Sequence, residues 1–274
     1  MEADKVRSFK PPPYLDADTA EERIFYFRQK DMAVNSNKKI LVVEPHPDDG
    51  ILSMGGYLYS RYLEGDKLIS AVLFMEENEK GLRRQRESKY VWETVLEGEC
   101  RFLNLPDRVY TLKDDQGLHI NRSVKESICS ICDYISNLIL IYKPDHVFFP
   151  IGIGEHPHHT MTNLCFRLLQ AEKASIQYWF YEDYPYSDYG RLTYSRPIYR
   201  MCSQFGLSKV YHSIQDTVQE KASLIMAYES QHDKQFDELL KTLKTYGEAV
   251  GYEGALEGYL TSGIGMYERI WKLL

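Results

Sequence analysis

The chain has 274 residues, 43% of them hydrophobic and 27% charged, with a formal net charge of −7. Such a balance suits one large soluble domain with a substantial core, and the acidic surplus argues against nucleic acid or an anionic membrane surface as the main partner. The longest apolar run, Leu138 to Tyr142, is too short to cross a bilayer, the start is charged rather than signal-like, and five scattered cysteines point to reduced thiols in a cytoplasmic setting.

Residues 1–37 read as an N-terminal extension. Pro11-Pro12-Pro13 favours an extended segment, and Asp16 to Lys30 is expected to form a short helix capped by Asp18 or Thr19. This extension either packs over the domain or serves a contact in a homo-oligomer. Residues 38–274 read as a single domain. Apolar residues 40–43 predict a strand buried on both faces, stopped by Pro45 and Pro47. A helix follows from about Ile51 to Glu64, ended by Gly65-Asp66. The Gly55-Gly56 pair inside it is explained by close packing on the sheet or by a ligand.

Leu68 to Met75 is the next strand, Leu82 to Leu96 a charged helix, and Cys100 to Leu103 a third strand. Ser123 to Tyr142 is a long helix with Val124, Ile128, Ile131, Ile135 and Leu138 at three-to-four spacing. Val147 to Phe149 is a strand, a helix opens at Thr160, and a strand runs from about Ile176 to Phe180. Residues 183–212 read as a Tyr/Pro/Arg-rich loop region, and 216–247 as two helices meeting near His232-Asp233. Strand–helix alternation of this kind predicts an α/β fold: a Rossmann-like three-layer sandwich with a mostly parallel sheet, without a dinucleotide fingerprint.

Two clusters carry chemistry. After the first strand comes Pro45-His46-Pro47-Asp48-Asp49-Gly50, at the carboxyl end where open α/β sheets bind ligands. His46 and Asp49 are three apart, so one turn can aim both at a single cation while Asp48 points elsewhere. After the strand at 147–149 come His156, His158 and His159, three of the eight histidines within four positions. Imidazole and carboxylate donors without cysteine suit catalytic zinc, where three protein ligands leave a coordination position open. Capping and turn formation alone would not call for histidines. The 22 tyrosines supply flat faces with polar tips that suit sugar rings.

At these residues the chain resembles the LmbE-like (PIG-L) zinc-dependent N-deacetylases of amino sugars. Pro-His-Pro-Asp-Asp at 45–49 is similar to the family signature, and His-Pro-His-His at 156–159 to its His-Pro-Asp-His motif. Supporting echoes are Arg84-Gln85-Arg86-Glu87, the Leu105-Pro106-Asp107 strand end, Tyr181-Glu182-Asp183-Tyr184-Pro185-Tyr186, Lys221-Ala222 with Ser230-Gln231, and Tyr267-Glu268.

The resemblance implies zinc, or ferrous iron, held by His46, Asp49 and His159. It implies Asp48 as general base and His156 as an imidazolium that stabilises the oxyanion or protonates the departing amine. Arg84, Tyr184 and Tyr186 are candidates to contact substrate. The implied substrate is a small-molecule N-acetylated amino sugar or glycoside, with a lean toward an antibiotic or other specialised glycoside precursor.

Two positions depart from the pattern. Gly50 stands where relatives carry glutamate, and His158 where they carry an aspartate that supports a histidine. Glu44, Glu155 and Asp183 are candidates to replace that support. The rival readings are a catalytically impaired sugar-binding homologue and a zinc amidase acting on a non-sugar amide.

Overall fold

A computed structural model describes residues 6–9, 25–28, 36–107, 122–169, 176–187, 196–231, 235–261 and 265–274. The first two strands, β1 (Val6–Phe9) and β2 (Phe25–Arg28), pair antiparallel as a separate ribbon. Within the stretch from Asp16 to Lys30 expected to be helical, Phe25–Arg28 is strand instead: the aromatic run Phe25-Tyr26-Phe27 suits an extended chain better than a helix. Asp18 and Thr19 lie outside the described residues.

The main sheet has seven strands: β3 (Lys39–Glu44), β4 (Lys67–Met75), β5 (Glu99–Pro106), β6 (His146–Pro150), β7 (Gln177–Tyr181), β8 (Leu207–Ser213) and β9 (Tyr267–Leu273). Their order is β5-β4-β3-β6-β7-β9-β8; β3 to β7 are parallel, and β9 runs antiparallel to both of its neighbours. Helices α1 (Asp49–Leu63), α2 (Glu79–Lys89, continued by a π-helical turn at Tyr90–Val95), α3 (Arg122–Tyr142), α4 (Pro157–Leu169), α5 (Arg196–Phe205), α6 (Val218–Met226) and α7 (Phe236–Leu256) accompany it.

The central strand divides the core by its alternation. Ile40 and Val42 face one layer with Ile51 and Leu58 of α1 and Ala222 and Ile225 of α6. Leu41 and Val43 face the other, with Ile131 and Ile135 of α3 and Met161 and Phe166 of α4. Each such side chain, fully withdrawn from water, contributes roughly 1.5–3 kcal/mol. The result is the expected three-layer α/β sandwich. Between β3 and β6 the strand order reverses, since β4 lies on one side of β3 and β6 on the other. That switch opens a crevice at the carboxyl ends of these two strands.

Two further expectations change. Residues 183–212 are not one loop: α5 and most of β8 fall within them. β8 is half-buried along nearly its whole length, so it carries no clean apolar alternation to read. Helix α4 opens at Pro157 rather than Thr160, using proline at its first position. The glycine pair in α1 answers to close packing on both sides: Gly56 lies against Ile214 and against Glu268 of the sheet strand β9, and Gly55 against Lys221 of α6. A Cβ at Gly56 would stand 2.5 Å from Ile214 Cγ2, and one at Gly55 3.2 Å from Lys221 Cγ.

Helix α1 breaks at Met54 (φ −138°, ψ 31°), which frees backbone donors just beyond it. The buried carboxylate of Glu268 receives them: Gly56 N–H donates to Oε1 at 3.0 Å and Tyr57 N–H to Oε2 at 2.7 Å. Lys221 Nζ donates to the same Oε1 at 2.6 Å, and both side chains are fully buried. Glu268→Ala is therefore expected to cost about 3–5 kcal/mol, because it strands a buried ammonium and two backbone donors. Denaturant unfolding measures this, and adding Lys221→Met should recover part of the loss. Unchanged stability in the single variant would refute the assignment.

Candidate metal-dependent active site

Beyond β3 the chain passes through Pro45-His46-Pro47-Asp48 into α1. This turn is pinned from outside: Phe74 N–H donates to Pro45 O, and the Ser88 hydroxyl donates to Pro47 O, both at 2.9 Å. Within the turn, His46 N–H donates to Asp49 Oδ2 at 2.7 Å. That oxygen also lies 3.3 Å from His46 Nδ1 and 3.3 Å from His159 Nε2. His159 arrives from the other strand. Past β6 the chain turns through Gly152 (φ 88°) and Gly154 (φ 83°), left-handed conformations that glycine adopts freely, and enters α4. Asp183, just beyond β7, accepts from Gly152 N–H at 2.7 Å and Ile153 N–H at 2.8 Å. Its other oxygen pairs with His159 Nδ1 at 2.5 Å, which leaves His159 Nε2 for Asp49.

Four imidazoles gather here. The His46 ring centroid is 5.1 Å from that of His156, 5.0 Å from His158 and 5.5 Å from His159. His46, His156 and His159 each bring one ring nitrogen within 4.8 Å of the others. Donor atoms placed at roughly 2.0–2.1 Å around a tetrahedral ion stand about 3.3–3.4 Å apart. The two 3.3 Å separations at Asp49 Oδ2 have that spacing, and His156 Nδ1 is buried with no hydrogen-bond partner among the described residues. The residues fit a divalent ion.

Electrostatics points the same way. Burial alone would raise the Asp49 carboxyl, but His159 and His46 outweigh it and hold the group below the usual carboxylate range. Burial works to lower the His159 pKa, yet Asp49 and the hydrogen bond from Asp183 prevail and push it up to about 9. For His156, burial comes first and the neighbouring His46 and His159 add to it, taking the pKa down to about 4. Those neighbours oppose a charge on His156 in the ion-free chain.

Asp48 is buried at the start of α1, and its side chain makes no capping bond to the helix. Arg84 Nη2 donates to Asp48 Oδ1 at 3.0 Å. Arg84 is itself buried, at 6% exposed. Tyr186 does lie at the rim: it is 45% exposed, and its ring centroid is 6.3 Å from that of His156 and 5.7 Å from that of His159. Tyr184 is half-buried and packs edge-on against Tyr246.

Of the three candidates for histidine support, Asp183 bonds to His159. Glu44 instead turns to the helix, where Oε2 accepts from Gly50 N–H at 2.8 Å while Oε1 bonds the Ser70 hydroxyl. The side chain of Glu155 lies outside the described residues. His158 stacks on Phe74 with centroids 3.9 Å apart, and its Nδ1 lies 2.8 Å from His46 Nε2. Asp107, to which the sequence assigned no role, comes within 3.5 Å of that same Nδ1. Its signal was the Leu-Pro-Asp strand end. His146 and His212 are elsewhere, paired with Trp179 and Ser60, and His119 and His232 lie outside the described residues.

Residues 41–169 match the family described as PIG-L: GlcNAc-PI de-N-acetylase. No curated protein sequence matches the chain. Among solved structures, the zinc-inhibited form of teicoplanin deacetylase is similar with a TM-score of 0.65 at 19% identity, over 86% of this chain and 98% of that one. The A40926 pseudoaglycone deacetylase gives 0.66 at 20% identity, over 87% and 98%. The N,N'-diacetylchitobiose deacetylase from Pyrococcus horikoshii gives 0.56 at 17% identity, over 87% and 84%. At these identities the likeness is one of fold, and it extends past the matched residues to the strands beyond β6. The chain carries a PIG-L (LmbE-like) domain, built on residues 41–169.

Proposed function

We propose that the protein is a metal-dependent hydrolase that removes the N-acetyl group from an amino sugar or glycoside, giving acetate and a free amine. The observation that carries this reading is the Asp49 oxygen 3.3 Å from a nitrogen of each flanking histidine, with Asp48 one residue away. His46, Asp49 and His159 would hold the ion. Imidazole and carboxylate donors favour zinc, with ferrous iron as the other candidate. The fold likeness to teicoplanin and A40926 deacetylases supports a specialised glycoside. Five free cysteines support a reducing, cytoplasmic setting.

When bound, a divalent ion at these donors acidifies a water and polarises the acetyl carbonyl. The chain's own groups do the rest. Arg84 grips Asp48 Oδ1 and so orients the carboxylate that takes the proton from the attacking water. His156 offers its N–H to the carbonyl oxygen as negative charge develops there, and it protonates the leaving nitrogen with the proton that Asp48 took from the water. Asp183 fixes which nitrogen of His159 faces Asp49. Tyr186 offers a flat exposed face to the sugar.

Asp48→Asn is expected to lower kcat roughly 10²–10⁴-fold with bound metal unchanged, measured by amine release over a panel of N-acetylhexosaminides and by metal analysis. Wild-type turnover in that variant would remove Asp48 from the mechanism. If no acetylated sugar is turned over by the wild type, the sugar-binding homologue or the non-sugar amidase takes its place. Chelation should abolish activity and zinc should restore it. Asp183→Asn should weaken metal affinity about 10–100-fold, with activity recovered at excess metal; an unchanged affinity would show that Asp183 serves only the 152–153 turn.

A further inference from the structure

The two left-handed glycines past β6 differ in what lies beside them. A Cβ at Gly152 (φ 88°) would meet nothing nearer than 3.9 Å, whereas one at Gly154 (φ 83°) would stand 2.7 Å from both Cβ and Cγ of Tyr186 and 2.9 Å from its Cδ1. Carbon atoms in contact stand about 3.5–4.0 Å apart, so no side chain fits there while Tyr186 stays where it is. Tyr186 thus lies on the bare backbone of residue 154, two positions before His156. This seat sets its ring 25° from the plane of the His156 ring and edge-on, at 85°, to His159. The chain on either side of Tyr186 is anchored. Asp183 holds the 152–153 turn and accepts the Ser187 N–H on its carbonyl at 3.0 Å, and the Ser187 hydroxyl lies 3.4 Å from that of Tyr246. Asp183 and Ser187 are each 1% exposed, yet Tyr186 between them stays open to solvent. A large ring already fixed in place loses little conformational freedom when a ligand covers it.

We propose that Gly154 is the positioning residue for Tyr186, and that this pair sets affinity for the sugar without entering the chemical step. The inference rests on the amino-sugar reading above. A pyranose offers C–H groups on its face to an aromatic ring and leaves its hydroxyls to hydrogen bonding. A Cβ at 154 would push the ring off its seat and away from a sugar whose acetamide lies at His156. The contact is the same in the bound substrate and in the transition state, so its loss raises KM and spares kcat.

The test measures binding and turnover separately on the zinc-loaded full chain. D-glucosamine, a product that cannot react further, is titrated by NMR, and kcat and KM are determined on N-acetylglucosamine. Tyr186→Ala should weaken glucosamine binding roughly 2–10-fold and raise KM by the same factor, and Tyr186→Phe should regain most of that loss. Gly154→Ala should lose affinity as Tyr186→Ala does, but should add little to it in the double variant, where the collision is gone. Gly152→Ala carries the backbone strain without the collision and should lose much less than Gly154→Ala. Equal losses from Gly154→Ala with and without Tyr186 would reduce its role to strain and overturn the proposal. So would unchanged affinity in Tyr186→Ala, an exposed position whose variant does not depend on the core; wild-type turnover would then leave the deacetylase reading standing. A wild type that neither binds glucosamine nor turns over N-acetylglucosamine overturns both.

Discussion

A single atom, Oδ2 of Asp49, joins the two halves of this site. It accepts the His46 N–H and stands equally close to ring nitrogens that belong to two strands more than a hundred residues apart. A buried carboxylate is costly unless it is paired and hydrogen-bonded, and here every near partner is an imidazole or a backbone donor. The pairing in turn depends on sheet topology. The parallel register that matches Ile40 with His146 and Val42 with Phe148 brings the carboxyl ends of β3 and β6 together, so turns leaving the two strands meet without long excursions. If another strand came between them, the cluster would come apart, whatever the motifs retained.

Around that atom, distant segments each fix one degree of freedom. Arg84 orients Asp48, and Ser88, one helical turn along, holds the Pro47 carbonyl. Glu87, between them on α2, accepts from the Ser230 backbone and hydroxyl, tying α2 to the chain beyond α6. Asp183 sets both the His159 ring and the 152–153 turn. Glu268 receives the donors freed where α1 breaks. Catalytic geometry needs side chains locked by such neighbours, and these are the segments that looked family-like in the sequence while offering no chemistry of their own.

What the sequence disclosed follows from what its residues do locally. Ile40 to Val43 read as a fully buried strand because both faces are apolar, and the five predicted core positions of α3 are all buried because an amphipathic helix repeats. Tertiary pairing was not legible. β9 carries Glu268 and Arg269 in its buried stretch, where Arg269 pairs with Glu182, so its pattern resembles no core strand. Asp107 and Arg84 acquire meaning only from what they face. The start of α4 at Pro157 puts His158 and His159 on adjacent positions of one helical turn, about 100° apart, which sends one ring toward Phe74 and the other toward Asp49.

Gly50 bears directly on whether the site is degenerate. The motif that the sequence resembles has glutamate there, and its loss could be taken as decay. The structure gives it a use. A Cβ at position 50 would stand 2.9 Å from Glu44 Oε2 and 3.0 Å from Val42 Cγ1, so the absence of a side chain lets Glu44 reach the first turn of α1. There it accepts the Gly50 N–H, one of the donors a helix start leaves open. Burial pushes the Glu44 pKa well up, so the group acts as a hydrogen-bonding carboxyl more than as a charge competing with Asp49. Asp48 occupies the capping position but makes no capping bond, because Glu44 has taken that task. Its carboxylate accepts instead from Arg84 Nη2. Gly50 thus has a structural use of its own, and its departure from the pattern is no argument for decay.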